Sequence, residues 1–237
     1  MIGDPTIVGA SFNRRFYTWA ALGACIVVFV GFAKTYYLKT LSGTPELPAL
    51  RHIHGLIMTL WFGLLVVQAR LVATRRVSLH RRLGVFGALL AGLVLTVGVM
   101  TAIDSARRGS SPGPPPLVFL AVPMGDMLLF SAFVGIALYF RHRSDIHRRL
   151  MLLSSLSILG AAFARIPLDF VKNGGPLLFF GLTDLAVLAC VAFDTRMNRR
   201  LHPAFGWGTL LVAASHPLRL MLAETSAWMQ FAIWLTG

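Results

Sequence analysis

Residues 83–103, LGVFGALLAGLVLTVGVMTAI, hold no charged side chain and no proline, and as a helix they are long enough to cross the roughly 30 Å hydrocarbon core of a bilayer. A strand in that place would leave backbone N–H and C=O groups unpaired in lipid, whereas a helix satisfies them internally. The same reading along the chain gives seven candidate spans, at about residues 16–38, 52–73, 83–104, 117–140, 147–168, 176–194 and 203–222. Residues 224–236 carry Trp228, Met229, Phe231, Ile233 and Trp234; they are too few to cross, and the tryptophans suit a helix lying in the interface. The expected fold is all-α, a single polytopic membrane bundle over residues 1–237 with no sizeable soluble domain.

Composition agrees. Apolar residues make up 56% of the chain and charged residues 13%, against about 45–50% and about 25% in soluble domains. The formal charge of +13 could suggest nucleic acid, but the arginines cluster in short loops between apolar runs and no basic groove or recognition motif occurs, so no nucleic-acid partner is expected. Cys25 and Cys190 both lie in apolar runs and read as packing residues. The first twelve residues are too polar for a signal peptide's apolar region, so the first span reads as retained.

Orientation follows from the cations. With the N-terminus inside, the inner segments hold Arg14, Arg15, Arg70, Arg75, Arg76, Arg81, Arg82, Arg141, Arg143, Arg148, Arg149, Arg196, Arg199 and Arg200, which makes 14. The outer segments and adjacent helix ends hold Lys34, Lys39, Arg51, Arg107, Arg108, Arg165, Lys172 and Arg219, which makes 8. This bias puts the N-terminus in the cytoplasm and the C-terminus outside. The loops GSSPGPPP (109–116) and KNGGP (172–176) are turn-forming, and short loops make consecutive spans antiparallel neighbours.

Antiparallel threading assigns depth to each ionisable side chain. Asp104, Asp126, Arg165, Asp169, Asp184, His54, His216 and Arg219 fall in the outer half. Asp126 and Asp184 lie well inside hydrocarbon, where a charge costs on the order of 2.5–3.5 kcal/mol. They are expected to face into the bundle and find partners at matching depth. One reading makes His54, Asp126, Asp184 and His216 a zinc-type ligand set, with Arg165, Asp169 and Asp104 in the surrounding polar network. The alternative is an ion pair of Arg165 with Asp184 or Asp126 that fixes packing. His52 and His54 point about 200° apart on a helix, so His54 is the inward candidate and His52 the interfacial one. Pro123 is expected to kink the fourth span beside Asp126.

At the inner surface three helix starts echo one another: HRRLG (80–84), HRRLM (147–151) and RRLHP (199–203). His80 and His147 begin spans that run the same way. Together they could ligate a haem b iron axially, with Arg81 and Arg148 toward its propionates. The simpler reading has these arginines facing anionic lipid headgroups, each contact worth about 1 kcal/mol. No nucleophile elbow, Walker loop, HExxH or dinucleotide fingerprint is present.

His54, HRRLG, HRRLM and the arginine near the far end of that last span (Arg165) together resemble a family of bacterial multi-pass membrane proteins grouped under a domain of unknown function. The similarity covers roughly residues 50–167; it implies a bacterial inner-membrane location and no particular activity. A looser likeness to two-haem b-type membrane cytochromes rests on histidines at helix ends, and here the fourth span has no histidine to pair with the second. Three functions follow as alternatives: a haem- or metal-binding redox or respiratory-assembly protein, a zinc-dependent intramembrane hydrolase acting on a lipid, or a partner subunit without chemistry.

Overall fold

The structure, a computed structural model, describes residues 5–43, 46–111 and 114–237, with side chains from Arg15 onward except those of Lys172 and Asn173. Pro112 and Gly113 of the expected turn, and the Arg14 and Lys172 charges used for orientation, lie outside the described residues and side chains. The described chain is helical throughout. The elements are α1 (Pro5–Phe32), which runs on through a π-helical turn Ala33–Tyr37, α2 (Lys39–Ser42), α3 (Ala49–Ala73), α4 (Val77–Arg107), α5 (Pro116–Phe119), α6 (Ala121–Tyr139), α7 (Ser144–Leu156), α8 (Gly160–Phe163), α9 (Asp169–Asn173), α10 (Gly175–Asn198), α11 (Pro203–Ala223) and α12 (Ser226–Thr236).

Five segments are long and apolar enough to cross a membrane: Arg15–Tyr37, Ala49–Ala73, Val77–Arg107, Pro116–Tyr139 and Gly175–Asn198. They coincide with five of the seven expected spans. The other two differ in kind. The fifth expected span is divided, with α7 and α8 separated by a turn at Ser157–Leu159. The seventh is the continuous helix α11, which carries His216, Pro217 and Arg219 in its second half.

The division of the fifth span has a local cause. Ser154 and Ser157 donate their hydroxyls to Met151 O and Ser154 O, at 2.8 and 3.0 Å. Such back-bonding competes with the helical ladder. Leu159 N then bonds three residues back, to Leu156 O at 3.1 Å, rather than four. Irregular backbone at membrane depth is tolerated only inside protein. Accordingly Ser154, Ser155 and Ser157 are buried, among α1, α6, α10 and α11. The α7–α8 segment is the centre of the bundle, and its polarity is possible because lipid does not touch that face.

Other breaks follow equally simple rules. The helix boundary at Leu120 falls next to Phe119, whose carbonyl lies four residues before Pro123 and would meet the proline ring. The KNGGP turn contracts to Gly174–Gly175, where Gly175 takes a φ of +58° that suits glycine. Phe62, Phe130, Phe133, Leu153, Val187 and Phe205 are fully buried in the core, while Leu89, Leu128, Leu185, Leu218 and many like them face outward. α12 closes one end: Trp228 donates to Leu117 O at 2.9 Å, and Arg107 Nε donates to Thr236 O at 2.7 Å, covering carbonyls left open at the helix end.

Candidate functional site

The ionisable side chains form two groups at opposite ends of the bundle. At the end where α4, α7 and α11 begin and α10 finishes, Arg149 and Asp194 are both buried and joined as a fork. Arg149 Nε reaches Asp194 Oδ2 at 2.9 Å and Nη2 reaches Oδ1 and Oδ2 at 2.9 and 2.7 Å. Tyr17 of α1 donates to Asp194 Oδ1 at 2.9 Å, and Arg149 Nη1 donates to Asp145 O at 2.7 Å. The guanidinium also lies 5.7 Å from the Phe205 ring centre. Arg149, the second arginine of HRRLM, therefore does not face lipid headgroups: its carboxylate partner and an aromatic wall take it out of contact with lipid. Asp194 was missed because, beside Arg196, Arg199 and Arg200, it reads as an interfacial charge. The available signal was its being the only acidic residue in the 176–198 stretch besides Asp184.

Next to this pair, His80 on α4 and His147 on α7 have ring centres 6.3 Å apart and planes 76° apart. His147 Nδ1 lies 2.8 Å from Ala137 O; a carbonyl only accepts, so Nδ1 carries a proton. The Gln68 amide meets His80 at the backbone O (3.2 Å) and at Nδ1 (2.6 Å), and meets Gly84 N at 3.1 Å. With its nitrogen toward His80 it satisfies all three and leaves the imidazole proton on Nε2; turned over, its oxygen would face the His80 carbonyl and its nitrogen the Gly84 N–H, so the first orientation is the one its neighbours support. Arg81 is exposed; Arg148 stacks 5.1 Å over Tyr17, and its buried Nε has no partner among the described residues.

His202 caps α11, accepting from Ala204 N at 3.2 Å, and its Nε2 lies 3.2 Å from Asp145 Oδ2. Slight burial pushes the Asp145 carboxyl up, but the His202 hydrogen bond, the amides of Asp145 and Ile146 and the nearby imidazole charge together hold it below its ordinary value.

At the other end, Arg219 of α11 donates from Nη1 to Asp126 Oδ1 at 2.6 Å and lies 3.4 Å from Val122 O. One turn earlier, His216 Nδ1 lies 3.3 Å from Asp184 Oδ2, and its ring stacks on Phe180 at 4.2 Å and 10°. Asp126 and His216 are buried as expected, but Asp184, also expected to face into the bundle, pairs with His216 from a side chain that stays 32% exposed. The cation at Asp126 is Arg219 and not Arg165. The expected Arg165 pair fails because Arg165 ends on the bundle surface, donating to Ala161 O at 2.7 Å with its guanidinium 4.9 Å over Phe32. The sequence reading places Arg219 in the outer half beside His216 but gives it no partner.

The zinc-type set does not assemble. Asp126 is engaged by Arg219, His216 by Asp184, and His54 bonds to neither pair; among the described residues no three His, Cys, Asp or Glu side chains come together to hold a metal. Nor do Arg165, Asp169 and Asp104 form one network, since Asp104 is tied within its own helix to Arg108 at 2.8 Å and Asp169 sits in the first turn of α9. His52 is exposed, as expected of an interfacial residue. Cys25 and Cys190 are free and half-buried. No family model, curated protein or solved structure matches this chain.

Proposed function

We propose that the protein is a haem-binding membrane protein of the electron-transfer or respiratory-assembly kind, with His80 and His147 as the axial pair of a b-type haem. The observation that carries this reading is the 6.3 Å separation of the two ring centres. Two metal–nitrogen bonds of about 2 Å, with the half-widths of two imidazoles added, put axial ring centres about 6 Å apart.

The surroundings support it. His147 is held as a ligating imidazole is, with Nδ1–H bonded to a carbonyl. His80 accepts the Gln68 amide nitrogen at Nδ1, which leaves its proton on Nε2, so ligation by His80 requires that proton to leave as the haem binds. α4 and α7 meet chiefly through these rings, with α6 packed against both. Arg148 brings a cation with an unused Nε to the same end, suited to a carboxylate, while Arg149 is already committed to Asp194. When bound, a haem supplies one-electron redox chemistry. The chain's own residues orient the two imidazoles and place positive charge at the rim.

In this account α7–α8 and α11 also cross, as the fifth and seventh of seven spans, giving a bacterial inner-membrane protein with its N-terminus in the cytoplasm. The arginine-rich end then faces anionic headgroups, and a membrane-protein partner exchanges electrons with it. The purified full-length protein, expressed with a haem precursor supplied, should show a Soret band at near-stoichiometric haem. His80→Ala or His147→Ala should remove or shift that band. A colourless parent protein, or variants with the parent spectrum, would refute the reading.

A further inference from the structure

We propose that the Arg219–His216 face, at the opposite end from the histidine pair, is a binding site for a neutral, membrane-soluble molecule whose head carries a hydroxyl beside an oxygen acceptor. It stands apart from the haem reading and rests on different residues.

Arg219 is 5% exposed, yet only Nη1 is used: Nε and Nη2 are buried with no hydrogen-bond partner among the described residues. Those two nitrogens carry three of the guanidinium's five N–H groups. An unmet N–H in an apolar interior costs several kcal/mol, so an oxygen acceptor belongs there. The side chain packs closely on Gly125, which leaves no room there for a Cβ, and the Nη1 bond to Asp126 anchors its end. Asp126 already neutralises the guanidinium and Asp184 adds a further carboxylate, so an anionic ligand would meet two negative charges beside one cation. A neutral acceptor meets no such opposition.

His216 supplies the complementary half. Its Nδ1 faces the Asp184 carboxylate, which only accepts, so Nδ1 holds the proton and Nε2 offers a lone pair. Nε2 makes no hydrogen bond among the described residues. Donors from Arg219 and an acceptor on His216, three residues apart on one helix, fit an oxygen acceptor and a hydroxyl carried on the same head. The carboxylate behind the imidazole favours the hydroxyl hydrogen bond by stabilising positive charge on the ring. Entry is lateral: the Asp184 side chain is 32% exposed, on a surface otherwise made of Leu185, Leu188 and Leu218. A molecule reaching it comes from the acyl-chain region.

Hydroquinones with a methoxy group next to the hydroxyl, and diacylglycerols with an ester next to theirs, both have this chemistry. The test is calorimetric titration of the full-length protein in phosphatidylethanolamine–phosphatidylglycerol nanodiscs with a decyl-substituted dimethoxybenzohydroquinone, the same molecule with both hydroxyls methylated, and dioctanoylglycerol. One hydroxyl-bearing probe is expected to bind saturably at a single site, and which one does so identifies the source. His216→Gln and Arg219→Lys should each weaken that probe at least tenfold. If the hydroquinone is the binder, its hydroxyl-methylated form should be at least tenfold weaker on the parent protein, because a site built for a hydroxyl rejects its capped form. Should Arg219→Lys fail to fold, His216→Gln decides; should both fail, the hydroxyl-blocked form of the binding probe decides. No saturable binding by either hydroxyl-bearing probe, or equal binding by the folded variants and the blocked probe, overturns the proposal.

Discussion

Replacing Asp194 with asparagine is expected to destabilise the protein by about 3–5 kcal/mol, the usual result of removing one partner from a buried ion pair. Arg149 and Asp194 expose almost nothing, at 2% and 0%. The amide would retain the shape and one acceptor oxygen, but the guanidinium would lose its neutralising charge and one arm of its fork. Whole folds are stable by only about 5–15 kcal/mol, so a loss of this size is a large fraction. Tyr17→Phe, which deletes only the hydroxyl bond to the same carboxylate, should cost about 1.5–3 kcal/mol. The double change Arg149→Met with Asp194→Leu should recover most of the loss, since an apolar pair of similar volume leaves no orphaned charge. Reversible unfolding in detergent micelles measures all of these. An Asp194→Asn variant as stable as the parent would show that water reaches the pair.

The second large effect concerns a single methyl group. A Cβ on Gly31 would lie 2.2 Å from Ala162 O and under 3 Å from two more backbone atoms of Ala162. None of these can rotate away, so Gly31→Ala must push α1 off the central α7–α8 segment, and the expected cost is about 1–3 kcal/mol. Gly23, two turns earlier on α1, provides the control. Its Cβ would meet nothing within 4 Å, and Gly23→Ala should be neutral or stabilising by up to about 1 kcal/mol. The same unfolding measurement compares the two, and equal behaviour would disprove the close α1–α8 approach.

How far the sequence carries depends on the kind of information required. Hydropathy fixes depth, so the five long apolar helices, the short helix after the last span and the shared level of Asp126, Asp184 and His216 were legible. Neighbourhood is another matter. Arg165 and Arg219 occupy the same depth, and only helix packing decides that Arg219 turns to Asp126 while Arg165 lies on the surface over Phe32. Arg149 follows Arg148 by one residue, and the step of about 100° between them sends one inward to Asp194 and leaves the other over Tyr17. The broken fifth span was hidden because Leu150–Leu159 is apolar enough in sum. Its three serines declare themselves only once the segment is seen at the bundle's centre. His80 and His147 were placed at one end by antiparallel threading, but their facing each other depends on α4 and α7 converging there, which loop lengths do not determine.

The histidine pair allows the most direct test of the whole account, because its geometry has a spectroscopic consequence that a bland packing role lacks. Two axial imidazoles with planes 76° apart should give a ferric low-spin electron paramagnetic resonance signal of large anisotropy in the purified oxidised protein. That signal should vanish in both His80→Ala and His147→Ala, and survive in Arg219→Lys. A high-spin signal, no haem signal, or one indifferent to both histidine substitutions would contradict it.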